Sequence, residues 1–270
     1  MRNRWLLIGT VLGLVLFVAS RALFHFVPGS HEAAAKLSRN APYFLCALCV
    51  PLALYYLPRY RRSAVHNVEG LRLMAEGRVV AALQQFEAAL PLAKSDVIPT
   101  YNIAVCQLQL WRLPDAERAL GRLETRKDLT PQFRAVLCAA LALAAAMQGR
   151  SKPAEQWLDA VRKWGHKPFS LAVLASAVVA CRAGLWSEAR EQLGQPVAQE
   201  LTGPLRGLRQ ALGAWCQEQL TGEPRPVDAV AVFGEASPDA LQAAWPELVA
   251  FLLERSRQPP VRLSAPSTGR

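Results

Sequence analysis

Charge is scarce in this 270-residue chain and unevenly signed: charged residues make up 19%, with 21 Asp+Glu against 31 Lys+Arg. Hydrophobic residues reach 52%, and mean hydropathy is +0.12. A chain this apolar is not disordered, and it is under-charged for an ordinary water-soluble domain. Six cysteines in 270 residues are too few for a disulfide-stapled scaffold, and the length suffices for a sizeable core. The sequence also lacks a glycine-rich phosphate loop, paired metal ligands and a nucleophile elbow. Its four histidines have no nucleophile or orienting carboxylate marked out beside them: His25, His31, His66 and His166 read as structural. The net charge of +10 suggests a polyanionic partner, but nucleic-acid binding needs a basic stripe interleaved with stacking aromatics, and no such stripe is present.

What is present begins with two uncharged runs. Trp5 to Ser20 is followed, after Arg21, by ALFHFV. The second run extends from Pro42 to Leu57. A membrane-crossing helix needs about 20 mainly apolar residues, with about 17 still workable. The runs are therefore expected to form a transmembrane hairpin over 1–62, with spans at about 5–27 and 41–58. Arg21 snorkels to the interface, Pro51 kinks the second span, and Tyr55 and Tyr56 sit at an interfacial aromatic belt. Two other readings are a cleaved signal peptide, with Arg2 and Arg4 as its basic region, followed by one anchor, and a pair of buried core helices. Cys46 and Cys49 lie inside the second run, where a C-x-x-C reads as small packing residues rather than a redox or metal site. Residues 1–62 carry eight Lys/Arg and one acid, so most of the excess charge flanks the two runs. Arg2 and Arg4 before the first and Arg59, Arg61 and Arg62 after the second predict both ends in the cytoplasm of a bacterial-type inner membrane. The rest of the chain is close to neutral.

Four later segments align: GRVVAALQQF (77–86), WRLPDAERAL (111–120), GRSKPAEQWL (149–158) and GLWSEAREQL (184–193). Each has alanine at its sixth position, Ala82, Ala116, Ala154 and Ala189, at spacings of 34, 38 and 35. Twelve residues before each alanine stands a small residue (Gly70, Ala104, Ala142, Ala177); four after it stands a bulky one (Phe86, Leu120, Leu158, Leu193). Small residues let paired helices approach closely, and the bulky residue fills the groove beside them. Gly77, Gly149 and Gly184 fall at the turn between the helices of a unit, where Trp111 departs from the rule.

This pattern resembles the tetratricopeptide repeat, a helix–turn–helix unit of about 34 residues. The resemblance covers 63–200, about half the chain, and implies an all-α fold: two transmembrane helices, then an α-solenoid of four repeats. Segment 201–255 is expected to hold a degenerate fifth repeat and a capping helix started by Ser237 and Pro238, with 256–270 a disordered tail. Family members bind peptides against the first helix of each repeat. By register this places Tyr101, Val105 and Leu108 in repeat two, Leu143 and Met147 in repeat three, and Leu174, Val178 and Arg182 in repeat four as the partner-binding groove. The face is strongly apolar. Either it takes an apolar partner segment, or it is closed by the chain's own C-terminal helices or is narrow helix-packing core. Only Asn67, Asn102 and Arg182 stand where relatives grip a terminal carboxylate.

The function implied is a membrane-anchored, non-catalytic adaptor or scaffold whose partners are proteins and the lipid bilayer. No cofactor, metal, nucleic acid or small-molecule substrate is expected. The alternative is a membrane enzyme or transport-complex subunit with its active part in the hairpin, motivated by Arg21, His25, Cys46 and Cys49.

Overall fold

The computed structural model describes residues 61–165 and 167–256, and these are all-helical, without strands. The two apolar runs, the histidines His25, His31 and His166, and the tail beyond Ser256 lie outside the described residues. Among the described residues, no helix is long and apolar enough to cross a membrane.

The helices are α1 (61–75), α2 (Val79–Ala89), α3 (Val97–Gln109), α4 (Leu113–Glu124), α5 (Pro131–Met147), α6 (Ser151–Trp164), α7 (Ser170–Arg182), α8 (Trp186–Gly194), α9 (Gly203–Thr221), α10 (Ala229–Phe233), α11 (Pro238–Ala244) and α12 (Pro246–Ser256). They pack as hairpins, α1 with α2, α3 with α4, α5 with α6 and α7 with α8, and consecutive hairpins lie against one another.

Amphipathicity assigns each helix its layer. α4 buries Leu113, Ala116, Ala119, Leu120 and Leu123 along one stripe, and α6 buries Ala154, Leu158 and Val161; the charged residues of both lie outside these stripes. Such helices cover one side of a core. By contrast α5 is alanine-rich and buried at every position from Leu137 to Met147, as expected of a helix apolar all round and enclosed by its neighbours.

The repeat register is visible as packing. Ala82, Ala116, Ala154 and Ala189 are each 0% exposed. The earlier small positions are buried as well, and at Gly70 an added Cβ would lie 2.6 Å from the Phe86 ring. Small and bulky positions therefore meet across a hairpin, leaving no room for a larger pair.

One turn recurs four times. Gly77, Trp111, Gly149 and Gly184 have φ of 79, 57, 73 and 73°, and the next residues, Arg78, Arg112, Arg150 and Leu185, all lie near φ −85, ψ 65. Each of these next residues donates its N–H to the carbonyl five residues back (Leu73, Gln107, Ala145, Ala180) at 2.9–3.0 Å. Together with the preceding N–H bonding three residues back, this is a Schellman closure, which satisfies the last carbonyls of a helix. Glycine has no Cβ penalty in this conformation; Trp111 adopts it at a steric cost.

After the fourth hairpin the chain departs from the simple expectation. α9 packs on α8, and segment 222–228 then breaks the helix, as EPRPVD requires. Asp228 caps the short α10 by accepting from Ala231 N at 3.0 Å. Ser237 caps α11 as predicted, accepting from Asp239 N at 3.2 Å. The expected single capping helix is in fact two: Trp245 leaves helical geometry at φ −150, ψ 78, because Pro246 disfavours helix at the residue before it. The break swings α12 against α10 and lets the segment from Ala229 to Ser256 run back along the hairpin turns.

Candidate interaction groove and the strap that covers it

The C-terminal segment is held at the hairpin turns by three sets of contacts. At the second turn, the Trp111 indole Nε1 donates to the Val232 carbonyl at 3.1 Å. At the first, Val80 N donates to the Glu235 carboxylate at 2.6 Å. The start of α2 has no side-chain cap of its own, so Glu235 supplies the acceptor from more than 150 residues away. At the third and fourth, Arg182 donates to Met147 O at 2.6 Å and Ala244 O at 2.7 Å. Its guanidinium lies 4.3 Å from the centroid of the Trp245 ring, a cation–π arrangement. Burial holds the Arg182 pKa below its ordinary value, and the two carbonyls and the ring supply the electron density that the lost water would have given.

Aromatic packing extends the strap. Trp215 of α9 meets Trp186 at 5.4 Å, Trp245 at 5.8 Å and Phe251 at 5.2 Å between ring centroids. Arg255 of α12 pairs with Glu218 of α9 through two hydrogen bonds, with both side chains mostly buried. The close approach of α9 and α10 depends on Gly207, where an added Cβ would lie 2.3 Å from the Ala231 carbonyl oxygen.

The residues expected to form a partner groove can now be placed. Leu108, Leu143, Met147, Leu174 and Val178 are at most 1% exposed. They belong to one continuous core with Leu205, Leu208 and Leu212 of α9 and with Val232, Leu241, Trp245 and Leu248 of the strap. Tyr101 and Val105 are half-buried. The Tyr101 ring packs edge-on to Phe133 at 5.4 Å, and burial pushes its phenol pKa up to about 12. Arg182 is the strap anchor. The structure therefore brings these residues together, but closes most of them off from solvent. In this conformation most of these residues are buried in the chain's own helix-packing core.

The positions for a terminal-carboxylate grip are engaged too. Asn102 donates to Asn67 at 2.9 Å, and Arg182 is committed to carbonyls. His66, half-buried, pairs through Nδ1 with Gln85 at 2.8 Å, the structural role expected of it. Cys106, Cys138, Cys181 and Cys216 are free, buried thiols. No group of metal-ligating side chains that could hold an ion occurs among the described residues. Sequence reasoning missed Val232, Glu235, Ala244 and Trp245. Only Pro246 hinted at the bend behind them, because contacts this distant leave no periodic trace.

No protein-family model, curated protein or solved structure matches the chain.

Proposed function

We propose that this chain is a membrane-anchored, non-catalytic scaffold of the tetratricopeptide-repeat type, whose apolar groove is held closed by its own C-terminal strap. The observation that carries the repeat assignment is the fourfold recurrence of one Schellman turn, each followed by a helix with a fully buried alanine at the same register. The uncharged runs of residues 5–27 and 41–58 support the anchor. Partner binding is then a competition. An apolar partner segment replaces the strap on the core it now buries, and the anchor raises the local concentration of both at the membrane surface. Arg182 with Trp245, and Trp111 with Val232, are the latches that a partner must release.

The test is quantitative co-purification of full-length chain from membranes, comparing wild type with Trp245→Ala. Loosening the strap is expected to raise recovery of a specific protein partner several-fold. The reading fails if both forms recover the same background set, or if alkaline carbonate washing strips the chain from the membrane.

A further inference from the structure

A second feature lies away from the strap, where α8 and α9 pack side by side. The outer groove between them is an open cavity of about 610 Å³ whose wall contains Arg190 of α8, Arg209 of α9 and Arg225 of the 222–228 linker. No carboxylate lines it. An adjoining hollow of about 450 Å³ shares Arg190 and carries Glu191.

Among the described residues Arg72, Arg118, Arg126, Arg150, Arg162 and Arg255 each hold a carboxylate, and Arg134, Arg182 and Arg206 donate to backbone carbonyls. Arg190, Arg209 and Arg225 form no ion pair or hydrogen bond among the described residues, and the Nε of Arg209 is buried without an acceptor. Three guanidinium groups around one cavity repel each other, and a buried N–H without a partner is costly. Both conditions are relieved by one ligand: an oxyanion with several acceptor oxygens and more than one negative charge. A phosphate fits these terms better than a single carboxylate. Leu193, Ala214 and Pro226 add an apolar wall beside the arginines that suits the organic part of a phosphate ester.

We propose that the α8–α9 cleft is a binding site for a soluble phosphate-bearing ligand, with Arg209 and Arg225 as its principal contacts and Arg190 completing the charge. The site is independent of the groove and does not require the repeat assignment or the anchor.

The probe is pyrophosphate, titrated calorimetrically into the full-length chain at about 150 mM salt, where diffuse surface attraction is screened. Saturable one-to-one binding is expected, with Kd of about 1 mM or tighter. Arg209→Gln and Arg225→Gln are each expected to weaken it roughly tenfold or more, and Arg209→Lys to weaken it less than Arg209→Gln because charge remains and the fork is lost. Arg225 lies on irregular backbone, so its substitution leaves the helices intact. Arg206→Gln, an exposed position of the same helix, is expected to change nothing. Absence of saturable binding overturns the proposal. So does equal weakening by Arg206→Gln and Arg209→Gln, which would mean general charge rather than a site.

Discussion

The Trp111 indole nitrogen donates a hydrogen bond to the Val232 carbonyl across 121 residues of sequence, and it does so from a left-handed backbone of φ 57°. The other three hairpin turns have glycine at this position. Trp111 is 2% exposed, so the steric cost of a bulky residue in this conformation is offset by a large buried ring and a satisfied donor. Trp111→Phe is expected to cost about 1–3 kcal/mol, because Val232 loses its partner in a buried site. Trp111→Gly relieves the backbone but empties the ring's volume, for a net loss of about 2 kcal/mol or more. Urea denaturation measures both, and faster proteolysis within 222–228 would report the loosened strap. Full stability in Trp111→Gly would show that the buried ring does no more than offset the strain of its own backbone.

Two glycines in regular helices predict opposite signs. Gly207 faces the Ala231 carbonyl with no space for a Cβ, whereas Gly121, inside α4, has nothing within 4 Å of the same point. Gly207→Ala is expected to force α10 off α9 and destabilise by about 1–3 kcal/mol. Gly121→Ala is expected to stabilise by about 0.5–1 kcal/mol through helix propensity. Thermal unfolding of the pair checks this, and equal shifts would remove Gly207 from the packing account.

The loop between α4 and α5 carries the clearest pH dependence. Arg126 donates two hydrogen bonds to Asp128, at 2.9 and 2.7 Å, and also pairs with Asp96. The hydrogen bond from Arg126 lowers the Asp128 pKa to about 2. A carboxylate depressed in the folded state contributes stability above its unfolded pKa of about 4, and that contribution is lost as pH falls through about 2. Carbon-detected titration should place Asp128 near 2, and Asp128→Asn should remove the acid-side decline in loop order between pH 4 and 2. A normal carboxylate midpoint would show that the pair is not held in solution.

The thiols should be silent in the native state. Burial pushes Cys106 up to about 12 and raises Cys138, and Cys181 is raised by its hydrogen bond with Cys216, 3.5 Å away, and by burial. The reactive thiolate is therefore scarce at these three at ordinary pH; Cys216 is lowered by the same hydrogen bond, and for it burial alone closes off reaction. In a Cys46→Ser/Cys49→Ser background at pH 8, a disulfide reagent is expected to label none of the four until denaturant is added. Fast labelling of one of them would place it on an opening surface.

Alanine at 82, 116, 154 and 189, small residues twelve positions earlier and bulky ones four later were sufficient to set the helical hairpins and their faces. These are local patterns: helical packing repeats every three or four residues, so the side chains themselves record which stripe turns inward. The three turn glycines were legible for the same reason, since an isolated backbone preference fixes a helix end. The turn at Trp111 was placed by register alone, without a glycine, and the bond from its indole to the Val232 carbonyl left no trace in the sequence. Likewise the apolar face of Leu108, Leu143, Met147, Leu174 and Val178 could be read as apolar but not as occupied. What occupies it is decided by Gly207, by the bend at Trp245–Pro246 and by the Arg182 anchor. Those contacts join residues that are far apart in sequence, and only the folded chain brings them together.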